Sequence, residues 1–129
     1  HRQLSAKSRK PREEITLVEG NYAGAEIVLV SSGAVARAAE MAAAQAKKSG
    51  IPVGTLRLIT VWPFPGEEIE KMAKGAKQVI VLENNLGQIY PYIKAEAAHY
   101  AEVSFLAPRL VGQIQDPEDI LKKIREVAK

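Results

Sequence analysis

Short apolar runs rich in β-branched residues alternate along this chain with longer stretches that repeat at helical spacing, and this alternation limits the fold more than any other feature. Residues 27–30, 53–59, 79–82 and 103–106 read as strands, and 27–30 and 79–82 are the unbroken apolar kind expected when both faces are covered. Helical patterns fall between them. Residues 34–49 hold eight alanines in sixteen positions and stop before Gly50, a favourable residue just past a helix end. Residues 67–74 place Glu67 and Glu68 in the first turn and Lys74 in the last, matching the helix dipole, with Ile69, Met72, Ala73 and Ala76 on one face. Ile89, Ile93, Ala97 and Tyr100 mark a third stripe, whose regular part starts near Pro91 because proline lacks an amide donor. In the last helix Asp116 is the N-cap, Pro117 is N1, and Ile120, Leu121, Ile124 and Val127 form the buried stripe. Strands alternating with helices imply βαβ units, hence an α/β fold of three layers, α/β/α, around a mostly parallel sheet. Residues 15–18 form a further candidate strand, followed by Gly20, Asn21 and Gly24 as turn residues.

At 129 residues the chain has room for one core, with residues 1–14 as a basic linker or arm and 15–129 as a single domain. The apolar fraction of 47% with 26% charged residues is that of a folded globular chain. No apolar run approaches the roughly 18–20 residues of a membrane helix, and no apolar segment follows the basic residues at the start as a secretory signal would. The expectation is a cytoplasmic domain without membrane contact. Cysteine is absent, which removes disulfides, thiolate catalysis, thiolate zinc sites and locally ligated iron–sulfur clusters. The net charge of +3 is confined to the arm: residues 1–14 carry five cations and two anions, and the rest carries 13 of each. With a neutral body and only 5% aromatics, nucleic acid is not an expected partner.

Searches for chemistry end in loops. The segment S-S-G-A-V-A-R after the strand at 27–30 has one glycine where a dinucleotide fingerprint needs three, and no phosphate-binding G-x-x-x-x-G-K-[ST] loop occurs. His1 is terminal and His99 sits near a helix end, so neither a catalytic base nor a histidine metal motif can be drawn. No catalytic residue is assigned. Three segments that follow strand ends stand out instead: Ser31, Ser32 and Gly33; Trp62 and Phe64 between prolines; and Asn84, Asn85, Gly87 and Gln88. Parallel strands bring such loops to one edge, where ligands and partners usually bind. The serine loop fits either helix capping or an anion site, the aromatics either a plug on the domain or an anchor for another, and the amides either turn chemistry or docking. Arg57 lies mid-strand, where an unpaired buried cation is costly. Either its strand is an edge or it has an acidic partner, for which Glu83 is the candidate.

The runs L-R-L-I-T-V-W-P-F-P (56–65) and V-L-E-N-N-L-G-Q (81–88) resemble the C-terminal part of the alpha subunit of 2-oxoacid:ferredoxin oxidoreductases, most like the 2-oxoglutarate type. The resemblance spans nearly the whole chain from Leu4, with Pro11 and Pro91 as departures from the pattern. It implies a transketolase C-terminal-like fold with about five strands, one of them antiparallel, for which 15–18 is the candidate. It also implies an intact enzyme that decarboxylates a 2-oxoacid, forms an acyl-coenzyme A and reduces ferredoxin. In that family thiamine diphosphate, its Mg2+ and the iron–sulfur cluster belong to a partner beta subunit, and the cofactor-activating glutamate lies in the preceding alpha domain. No cofactor is therefore expected in this chain, Glu83 is not that glutamate, and the domain's role is non-catalytic assembly with the rest of the alpha chain and the beta subunit. The alternatives are a stand-alone anion- or nucleotide-binding module and the equivalent domain of a 2-oxoacid dehydrogenase beta component.

Overall fold

The computed structural model describes residues 18–32, 35–58, 66–83, 89–107 and 115–128. In chain order they form β1 (Val18–Asn21), β2 (Ile27–Ser32), α1 (Val35–Lys48), β3 (Val53–Leu58), α2 (Gly66–Lys74), β4 (Gln78–Leu82), α3 (Tyr90–Ala97), β5 (Glu102–Leu106) and α4 (Pro117–Val127). The sheet runs β1-β3-β2-β4-β5, with β1 antiparallel to β3 and every other pairing parallel. Three layers and one reversed strand were the expected architecture, and they are what is observed.

Strand alternation sorts the apolar side chains into two cores. Val28, Val30, Leu56, Leu58, Val79 and Val81 point to one face and meet Ile69, Met72 and Ala73 of α2 with Ile93 and Ala97 of α3. Ile27, Leu29, Val53, Ile80 and Leu82 point to the other and meet the alanines of α1 with Ile120 and Ile124 of α4. The alanines let α1 lie close to the sheet, since a methyl group is all that separates backbone from strand. Gly50, at φ 84°, ends that helix in the left-handed conformation, and the Ile51 amide donates back to Ala46. Asp116 caps α4 through Oδ1, which accepts from the Glu118 amide at 2.9 Å.

The reversed strand continues three residues beyond the end the sequence suggests, to Asn21, and residues 15–17 lie outside the described set. Gly20 and Asn21 are strand residues rather than turn residues; the turn is at Gly24, φ 75°. Glycine is needed at 20 for closeness, because a Cβ there would collide with the Thr55 carbonyl oxygen and come within 2.9 Å of the Leu56 Cα. The antiparallel register sets Val18 beside Leu58, so the chain enters β1 at the edge where the parallel strands end. Gly20→Ala should therefore cost roughly 2–4 kcal/mol, read as a lower denaturation midpoint, against about 1 kcal/mol for Gly24→Ala, which has open space around it. The reverse ranking would mean that β1 is not docked on β3 in this way.

Candidate functional site: the carboxyl edge of the sheet

The register sets Ser32 beside Leu58, Ser31 beside Leu82 and Leu82 beside Leu106, so β2, β3, β4 and β5 all end at one edge. Of the three segments singled out in the sequence, Ser31 and Ser32 lie at that edge. From β2 the chain crosses to α1 on one face, and from the adjacent β4 it crosses to α3 on the other. Neighbouring strands whose connections diverge make a topological switch point, the place where open α/β sheets usually bind ligands and partners. Ser31 and Ser32 belong to β2 itself, which runs two residues further than the sequence suggests, and the Ser31 side chain is buried at 3% exposure. Gly33, Trp62, Phe64, Asn84, Asn85, Gly87 and Gln88 lie outside the described residues, as does the side chain of Ser32.

Glu83 is the first residue past β4 and only 3% exposed. Its Oε1 accepts from the Ile89 amide at 2.8 Å and its Oε2 from the Tyr90 amide at 3.0 Å. These bonds solve a local problem of α3. Its N-cap, Ile89, has no side chain able to accept, Tyr90 is the first helical residue, and Pro91 has no donor to offer. The Tyr92 amide turns back to the Ile89 carbonyl. Every donor of that helix start is thus accounted for, two of them by one carboxylate six and seven residues upstream. The Tyr90 ring lies 5.5 Å from the Phe105 ring of β5 and its hydroxyl donates to the Val103 carbonyl at 3.4 Å, which holds the first turn against the sheet.

The backbone of Glu83 is held as well. Gln115 Nε2 donates to the Glu83 carbonyl at 2.6 Å and to the Leu106 carbonyl at 2.8 Å. The side-chain amide extends the β4–β5 ladder by one rung, using both of its protons. Gln115 directly precedes the Asp116 cap, so this rung also fixes where α4 begins. Nothing in the sequence pattern singles out Gln115, which lies 32 residues from Glu83.

Arg57 and Glu83 are not paired. Strand β2 lies between theirs, Arg57 is exposed, and the Glu83 carboxylate is committed to the two amides. Arg57 lies on an inner strand, and the acidic residue beside it in the register is Glu19 rather than Glu83. Arg57 points to the α1 face beyond the cover of α1, where it borders an open hollow of about 400 Å3 with Ser31, Thr55 and Glu40, and so stays hydrated. His99 is exposed, edge-on to Tyr100 at 6.4 Å.

Among the described residues no three of His, Cys, Asp or Glu stand together to hold a metal ion, and the thiolates of an iron–sulfur cluster are missing from the sequence. No helix among the described residues is long and apolar enough to cross a membrane.

Comparison with known proteins gives the family. Residues 25–120 match the family described as pyruvate:ferredoxin oxidoreductase core domain II. The chain belongs to that family. It is 37% identical over 123 residues, 95% of this chain and 33% of the relative, to 2-oxoglutarate synthase subunit KorA of Methanocaldococcus jannaschii. It is 41% identical over 115 residues, 89% of this chain and 32% of the relative, to ketoisovalerate oxidoreductase subunit VorB of Methanothermobacter marburgensis. A chain of the 2-oxoglutarate:ferredoxin oxidoreductase of Magnetococcus marinus, solved with 2-oxoglutarate, coenzyme A and succinyl-CoA bound, shares the fold. Its TM-score is 0.78 at 21% identity, over 98% of this chain and 21% of that one. This domain II chain spans about a third of the length of the curated relatives it matches.

For stability, Arg57→Ala should lie within about 0.5 kcal/mol of the parent, as for other hydrated surface groups. A double-mutant cycle of Arg57 with Glu83 should show coupling below about 0.5 kcal/mol. Denaturation of the four proteins in the cycle makes the check, and strong Arg57–Glu83 coupling would contradict the strand order.

Proposed function

We propose that this chain is the assembly domain of the alpha subunit of a 2-oxoacid:ferredoxin oxidoreductase, and that its loop-bearing edge sets neighbouring domains and the beta subunit in register. The intact enzyme would oxidatively decarboxylate the 2-oxoacid, transfer the acyl group to coenzyme A and deliver two electrons to ferredoxin. Thiamine diphosphate, its Mg2+ and the iron–sulfur cluster would be held elsewhere in the assembly. The match of residues 25–120 to the domain II family carries the reading. It is supported by the absence of any recognisable catalytic constellation in the sequence and by the divergence of the β2 and β4 connections at one edge. Catalysis in such enzymes requires near-ångström placement of reacting groups, so a domain that touches no substrate still governs rate.

The substrate proposed is 2-oxoglutarate, in keeping with W-P-F-P at 62–65, E-N-N-L-G-Q at 83–88 and the KorA relatives. A branched-chain 2-oxoacid is the second reading, favoured by the 41% identity to VorB. Turnover of a panel of 2-oxoacids by the full-length chain with its partner subunits, in the presence of coenzyme A and an electron acceptor, separates the two. The purified 129-residue chain, given the same additions, should turn over none of them. Activity in that sample would overturn the assembly role. Saturable nucleotide or thiamine diphosphate binding by the same sample, lost in Ser32→Ala, would favour a stand-alone binding module instead.

A further inference from the structure

A hollow on the α1 face has no part in the proposed assembly role. Strand alternation turns Ser31, Thr55 and Arg57 toward the α1 layer. With Asn21 of β1 and Ala36 and Glu40 of α1 they line an open space of about 400 Å3, the size of a small-ligand pocket. Ser31 and Arg57 are register neighbours one row below the carboxyl edge. Ala36 belongs to the first turn of α1, which holds no acidic residue, so the positive end of a 14-residue helix and its free amides open onto the same corner. Ser31 is 3% exposed, yet it lines the hollow, and no hydrogen bond among the described residues engages its hydroxyl. Arg57 has no ion pair among them either. Its guanidinium carries five donors in a fork, more than its register neighbour Glu19 can take up.

We propose that this corner binds a small oxyanion, a carboxylate or phosphate group, with the Arg57 guanidinium and the Ser31 hydroxyl as donors and the start of α1 supplying the favourable field. Guanidinium, buried hydroxyl and helix start come from three different elements and share one polarity. Glu40 stands one turn further along α1 and also borders the adjoining hollow with Asn21, Thr55 and Lys47, away from Ser31. A carboxylate there disfavours a polyanion and suits a ligand whose negative charge sits at one end. The site goes beyond the assembly role and does not depend on it.

The test is calorimetric titration of the full-length chain with inorganic phosphate and, separately, with succinate, alongside the melting temperature. At least one of them should bind saturably, with a dissociation constant on the order of 1 mM, the strength of a few charge-assisted hydrogen bonds at an open site. Arg57→Ala should weaken that binding about tenfold and Ser31→Ala about threefold, both with the parent's melting temperature, so that the component lost in Arg57→Ala is the one belonging to this corner. Glu40→Gln should leave it unchanged or tighter, since a like charge is removed. Phosphate alone binding would assign a phosphate ester as the ligand class, and succinate alone a carboxylic acid. No saturable binding of either, or binding that Arg57→Ala or Ser31→Ala leaves at the parent's strength, would overturn the site while leaving the assembly role standing.

Discussion

A carboxylate withdrawn from water at the end of a central strand is tolerable only when its lone pairs are used, and the Glu83 side chain meets that condition with two consecutive amides at 2.8 and 3.0 Å. Removing such a group would leave the amides of a helix start buried without acceptors, a loss of about 1–3 kcal/mol for each. The consequence reaches both layers. Helix α3, on one face, begins where the carboxylate holds it; helix α4, on the other, begins one residue after the glutamine that holds the same residue's carbonyl. One position at the edge of the sheet thus registers strand, front layer and back layer together.

Much of the architecture could be read from local chemistry. The cap Asp116 with Pro117, the alanine-rich stretch ending at Gly50, and the unbroken apolar runs of β2 and β4 act within a few residues of themselves. What was misread depends on which strands are neighbours. Gly20 looks like punctuation until β3 is beside it, and only then does the carbonyl of Thr55 explain why no side chain fits. Arg57 looks stranded and Glu83 looks available because both sit at apolar segments, yet the order β3-β2-β4 separates them and leaves one hydrated and the other bonded. A clue to the second was present: Ile89 cannot cap a helix and Pro91 cannot donate, so an acceptor had to arrive from elsewhere. No comparable clue marks Gln115.

Membership of the domain II family and the reading of the edge support one another without overlapping. The family match comes from residues along the whole core, whereas the edge is picked out by the strand directions and by the crossing of connections between β2 and β4. Both concern the same three-layer body, the one through its sequence and the other through its topology. Its two packed cores supply rigidity, and rigidity is what an edge needs if it is to set distances in something larger.

The antiparallel strand has a further effect. Because β1 runs against its neighbour, its first residue, Val18, lies at the carboxyl edge rather than on the opposite side. A body tethered there by a short link meets that edge at an effective concentration of roughly millimolar. Contacts that would be too feeble between free molecules then suffice.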